Sequence, residues 1–173
     1  WRRFFAELWL RTRLSPETSQ ELRDLGGRLA GADFCFPAKV AVAHVAWLAQ
    51  HPGVDWVFLP ELANQRPRPE VTASSHCPYV QAWPACARTA LSLNGIDAGR
   101  LLTPLLDERM PEARLEEQLA GSLGAPLGRT PRQIARAWRL AREAHRALQE
   151  RLRAAGAAAL AEARRTGERL VVL

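Results

Sequence analysis

The stretch that most constrains the fold runs from Asp33 to Pro60, where a helical pattern is followed closely by a β-branched and aromatic run. Pro37 suits a first helical position, because its missing N–H would have no partner there anyway. Val40-Ala-Val-Ala-His44-Val-Ala-Trp47-Leu-Ala-Gln50 continues the helix, and His51-Pro52-Gly53 stops it. Val54-Asp-Trp-Val-Phe-Leu59 then reads as a buried strand ended by Pro60. A helix over 37–50 feeding a strand over 54–59 through a short turn is half of a βαβ unit, which predicts a parallel sheet. Ligands of such sheets bind in the loops beyond the strand C-termini.

Cys35 lies just before that helix, where the positive end of the dipole favours thiolate over thiol. Lys39, the one lysine against 23 arginines, sits two residues inside the first turn. A cation there works against the dipole, so Lys39 is expected to serve some other partner. A buried structural cysteine and a solvated lysine fit the same residues. Downstream, a proline-rich polar loop from Glu61 to His76, including Pro67 and Pro69, is long enough to suggest function. It delivers His76-Cys77-Pro78-Tyr79-Val80-Gln81, and Pro84 then places Cys86 in the first turn of a helix running to Leu93, capped by Asn94-Gly95. If both loops lie on one edge of the sheet, Cys35 and Cys77 face one site.

The remaining elements are read by the same signals. Trp1, Phe4, Phe5 and Leu8 recur at helical spacing from the first residue, so the chain is expected to be a piece of a larger protein. Arg11–Leu14 reads as a short strand, and Ser15-Pro16 as the start of a helix over 16–25 that stops at Gly26-Gly27. From Arg100 the pattern predicts helices over Leu101–Leu106 and 111–121, then a link broken by glycine and proline over 121–128. Thr130-Pro131-Arg132-Gln133 is a capping box opening one long helix to about Arg165, with Ile134, Trp138, Ala141, Leu148, Leu152 and Ala155 as its apolar stripe. His145 interrupts that stripe, and Glu168–Leu173 begins a further strand. The expected organisation is one α/β domain over 1–173, or part of one. It comprises a cysteine-bearing core over 1–99 and a helical extension over 100–173.

Composition narrows the class. With 47% apolar residues in 173, the chain can bury a core without staples. No apolar run approaches the roughly 20 residues of a membrane helix, and no signal peptide is visible. Three cysteines, an odd number in a chain of this size, point to a reducing cytoplasm. The net charge of +6 is confined to 130–169, with ten arginines against four glutamates; residues 1–129 carry equal numbers of acids and bases. A solvated or partner-facing helix explains that surplus better than nucleic acid, since stacking aromatics do not accompany the arginines. Thiolates near helix N-termini suit soft metals and iron–sulfur clusters, while a zinc site with His44 or His76 is an alternative. There is no C-x-x-C, G-x-S-x-G, P-loop, G-x-G-x-x-G or H-E-x-x-H.

Taken in order, five motifs carry a resemblance. They are Phe4-Phe5-x-Glu7-Leu8, Leu14-Ser15, Cys35-Phe-Pro-Ala-Lys39 with His44, Val54-Asp55-x-x-Phe58-x-Pro60, and Cys77-Pro78-Tyr79-Val80-Gln81. The set resembles the domain found in large fused acyl-CoA dehydratase activase proteins. That domain is related to the cluster-binding subunits of 2-hydroxyacyl-CoA dehydratase and benzoyl-CoA reductase. The likeness covers residues 1–91 well and the remainder loosely. It implies a Rossmann-like α/β fold with flanking helices, and a [4Fe-4S] cluster held by cysteines on separate loops. It also implies low-potential, ATP-driven electron transfer serving an acyl-CoA reaction. Cys35 and Cys77 match the family's cysteine positions, and Lys39 and His44 match its helix. Ala43 replaces a glycine common in relatives, and Cys86 matches no expected position, so it stands as a third ligand without that support. Lys39, His44, His76 and Gln81 would surround the cluster or touch substrate. The ATPase activator module would be a partner, fused or separate. The competing expectation is a non-catalytic scaffold on the same fold, docking a partner through the arginine-rich helix at Arg132, Arg136, Arg139 and Arg146.

Overall fold

The computed structural model describes residues 1–67, 73–169 and 171. In chain order the helices are α1 (Arg2–Glu7), α2 (Gln20–Leu29), α3 (Phe36–Gln50), α4 (Pro78–Gln81), α5 (Trp83–Leu93), α6 (Glu112–Leu127) and α7 (Pro131–Thr166). The strands are β1 (Val57–Phe58), β2 (Glu61–Asn64), β3 (Leu101–Leu102) and β4 (Leu105–Asp107). Two compact units result: Thr12–Ala135, and Trp1–Arg11 with Arg136–Leu173. Residues 170, 172 and 173 of the expected terminal strand, and Pro69 of the proline-rich loop, lie outside the described residues.

In the Thr12–Ala135 unit the expected parallel pairing is present, as a ribbon two strands wide. Val57 pairs with Leu101 and Phe58 with Leu102; Glu61 then pairs with Leu105 and Leu62 with Leu106, in the same register. The amides of Val57, Leu59 and Glu61 donate to the carbonyls of Arg100, Leu102 and Pro104 at 2.8–2.9 Å, so the ladder continues through Pro60. One rung is missing: in this register Leu59 C=O faces position 104, where proline has no N–H to give. That splits the ribbon into β1–β3 and β2–β4. The expected strand over 54–59 is thus shorter, and the expected long loop begins as β2. Of residues 101–106, expected to be helical, Leu101–Leu102 and Leu105–Leu106 are strand instead and none is helical. Four leucines around Thr103-Pro104 carry no helical period, and the partner strand decides their state.

One cluster of buried residues joins the ribbon to its helices: Val45, Ala46 and Ala49 of α3, Val57, Leu59, Ala87 and Leu91 of α5, Ala98 and Leu101. The guanidinium of Arg100 donates to Ala49 C=O at the end of α3 and to Val54 C=O, tying helix and turn to the ribbon. At the end of α5, Asn94 Nδ2 donates to Ala90 C=O at 2.8 Å and Leu29 C=O at 3.3 Å, and Gly95 turns the chain at φ +68°.

α2 departs from expectation at both ends. Its cap is Ser19, whose hydroxyl accepts Leu22 N–H at 3.4 Å, so the Ser15-Pro16 signal is not used. It also runs through Gly26-Gly27, because Gly26 is a packing residue. A Cβ there would sit 2.2 Å from the carbonyl oxygen of Lys39 in α3. The short strand expected over Arg11–Leu14 is absent, and no described strand pairs with it. α6 likewise continues through the predicted break at Gly121 and Gly124, because Leu115, Leu119 and Leu123 keep one buried stripe. It ends at Gly128, in the left-handed region at φ +60°.

The capping box opens α7 as expected: Thr130 N–H donates to Gln133 Oε1 at 2.8 Å, and Gln133 N–H to Thr130 Oγ1 at 3.3 Å. In the other unit, α1 ends in a Schellman turn, with Trp9 N–H donating to Ala6 C=O and Leu10 N–H to Phe5 C=O. That turn places Trp9, 90% exposed, at φ +58°, where glycine is the usual occupant. Trp1 packs between Phe4 and Trp138, each ring 5.5 Å away.

Candidate functional site

The C-terminal ends of β2 and β4 carry Asn64 and Asp107, the two buried polar residues of the described chain. Asn64 Nδ2 donates to Asp107 Oδ2 at 2.9 Å, and Ser75 Oγ donates to Asn64 Oδ1 at 2.8 Å. Arg109 closes a fork on the same carboxylate, with Nε on Oδ1 at 3.1 Å and Nη2 on Oδ2 at 2.8 Å. The Arg109 hydrogen bond, against the opposing effect of burial and with help from Asn64, holds the Asp107 carboxyl down at about 2.

This knot fixes the root of the second cysteine loop. Asn64 and Ser75 form an antiparallel bridge, Gln65 N–H donates to Ser74 C=O, and His76 N–H donates to Ala63 C=O at 3.2 Å. The loop therefore leaves β2 and returns to it, delivering Cys77 one residue later. Gln81 Nε2 donates back to His76 C=O at 2.7 Å, closing the turn around Cys77. Both residues thus act here through the backbone of the Cys77 turn.

Cys35 and Cys77 occupy equivalent backbone positions. Each is the residue before a helix, with φ −62° and ψ 152° or 149°, and each is followed by a proline at the first or second helical position. Each carbonyl takes a first-turn amide, Lys39 N–H on Cys35 and Val80 and Gln81 N–H on Cys77. Both thiols are exposed and free. Tyr79 joins the two segments: its hydroxyl donates to Asp33 C=O at 2.8 Å, and its ring lies 5.5 Å from that of Phe34. Two residues before Cys35 and two after Cys77 are therefore in direct contact.

The other predicted residues stand differently. Cys86 is half-buried in α5. Lys39 is half-buried and its ammonium makes no hydrogen bond or ion pair among the described residues. His44 lies about 13 Å further along the α3 axis than Cys35, and its Nε2 is 3.0 Å from Thr18 Oγ1. Its Nδ1 is buried with no hydrogen-bond partner. Among the described residues, no three histidine, cysteine or acidic groups converge as a metal-holding set. The bridging role of Tyr79 and the Asn64–Asp107–Arg109 knot escaped the sequence reading. The knot's signal, a polar residue ending each of two paired strands, exists only once 61–64 and 105–107 are read as strands.

Fold and site define an α/β domain that presents two exposed thiols from helix caps, one of them rooted at the end of a parallel ribbon. The whole chain, residues 1–173, matches the family described as the CoA enzyme activase uncharacterised domain, and the protein belongs to that family. No curated protein and no solved structure is significantly similar to it. No helix of the described residues is long and apolar enough to cross a membrane.

Proposed function

We propose that this chain is the iron–sulfur module of a CoA-enzyme activase system, with Cys35 and Cys77 as thiolate ligands of a [4Fe-4S]-type cluster. The observation that carries the reading is the Tyr79 contact, which ties together the segments bearing two exposed cysteines, each the N-cap residue of a helix. The donor chemistry fits a soft metal or a cluster as far as two thiolates go. The remaining ligands would come from Cys86 or from outside the described residues. When bound, the cluster would supply one-electron transfer to an acyl-CoA-type reaction, energised by an ATPase activator module. Here the chain's own residues fix the backbone positions of Cys35 and Cys77 and keep the half-buried Lys39 ammonium one turn from Cys35. That cation would favour the more negative, reduced state of a nearby cluster. The ribbon is read as part of a wider Rossmann-like sheet, and the compartment as a reducing cytoplasm.

Anaerobic reconstitution of the full chain, with iron, sulfide and visible absorbance measured, tests this directly. Iron incorporation should fall sharply in Cys35→Ala and Cys77→Ala while their thermal melts stay unchanged. Lys39→Gln should retain iron with a lowered reduction potential. Colourless, iron-free protein, or iron retained without both thiols, would refute the assignment and favour a non-catalytic scaffold.

A further inference from the structure

A [4Fe-4S] cluster takes four thiolates, and the site proposed above supplies two of them. The rest of this sequence does little to close the gap. Its third thiol, Cys86, is half-buried in α5, and no three histidine, cysteine or acidic groups converge among the described residues. The residues outside the described ones include neither cysteine nor histidine. Cys35 and Cys77 themselves are exposed, so a second ligand set can approach both from solvent.

The surface around these two thiols is apolar. Phe36, next to Cys35, is 60% exposed; Tyr79 and Val80, just past Cys77, are 36% and 37% exposed. Pro37 and Pro78 are exposed beside them. The Tyr79 hydroxyl on Asp33 C=O, and its ring against Phe34, join the two segments, so these side chains share one region of the surface. Charge does not oppose the meeting of two such regions. Asp33 and Lys39, of opposite sign, are the charged residues of 33–39, and 77–82 has none. Like therefore meets like without setting a block of equal charge against itself. Under two-fold symmetry every contact occurs twice, and two thiols become four. A second copy thus brings what is missing in the right number, on an uncharged apolar surface that matches its own.

We infer that two copies of this chain meet face to face at their cysteine loops, so that Cys35 and Cys77 of both copies hold one [4Fe-4S]-type cluster on the two-fold axis. The inference rests on the iron–sulfur reading and adds to it the source of the missing ligands.

Anaerobic sedimentation of the full chain before and after reconstitution, with iron and sulfide counted on the same fractions, is the test. The loaded chain should be a dimer with about two irons per chain. Removing the iron with a chelator should weaken the dimer at least about tenfold. Cys86→Ser should leave both mass and iron count unchanged. The double variant F36E/V80E keeps both thiols but sets carboxylates against each other across the axis. It should lose dimer and iron together while its melt stays unchanged, since both side chains are exposed. A monomer holding about four irons overturns the inference and leaves the iron–sulfur reading intact. So does a dimer with about four irons in each copy, or iron lost from a Cys86→Ser protein that melts normally. A chain that takes up no iron overturns both.

Discussion

The Thr12–Ala135 unit and the long helix of the other unit are stabilised in opposite ways. In the first, elements of two to four residues exist because a partner about 44 positions away holds them in register, and helices approach until backbone touches backbone. In α7, a capping box and local helical bonding sustain 36 residues whose second half buries little. The first unit therefore spends its specificity on fixed positions, whereas the second half of α7 leaves most of its side chains exposed. Glycine makes the contrast concrete. Gly26 has a carbonyl oxygen 2.2 Å from where a Cβ would stand, while a Cβ at Gly156 of α7 would meet nothing within 4 Å.

The sharpest way to break the comparison is Gly26→Ala. Because the obstructing atom is backbone, the change should destabilise the protein by about 3 kcal/mol in denaturant unfolding, despite alanine's better helix propensity. An unchanged midpoint would mean that α2 and α3 separate easily and that the first unit is not close-packed there.

Next in size is Asp107→Asn. The folded carboxyl is held near 2 against an ordinary 3.8, a gap that corresponds to about 2 kcal/mol. Because the folded value is depressed, this stability is present above about pH 4 and is lost as pH falls towards 2. The variant should be about 2 kcal/mol less stable at neutral pH and should lose less stability than the native chain between pH 4 and 2. Parallel pH profiles for the two proteins would remove the Arg109 fork as a source of stability.

The smallest effect carries the opposite sign. Gly156→Ala in α7 should stabilise by up to about 1 kcal/mol, since the helix gains propensity and nothing is displaced. Destabilisation at this site would show that α7 is more tightly engaged than its exposure implies.

The same contrast explains what could be read in advance. α3 and α7 were legible because their signals are local: Pro37 in the first turn, the Thr130–Gln133 box, and apolar residues at helical steps. Parallel pairing was legible from the helix–strand succession around His51-Pro52-Gly53. The identity of 101–106 was not, because Leu101-Leu-Thr-Pro-Leu-Leu106 takes its state from a strand far away in the chain. Gly26-Gly27 misled for a related reason, since a glycine that ends one helix and a glycine that admits a neighbouring helix look alike in sequence. Cys35, Cys77 and their flanking prolines stood out at once. Tyr79, which ties their segments together, carried no mark of that role until its hydroxyl was seen on Asp33 C=O.

Trp9 offers a practical return. Its backbone occupies a conformation that disfavours large side chains, and its indole is almost wholly hydrated. Among six tryptophans it is the one most accessible to an aqueous collisional quencher. Its emission is therefore expected to be red-shifted, which would make it an intrinsic optical reporter: any body that settles over Trp9 would announce itself by a blue shift without a label being attached.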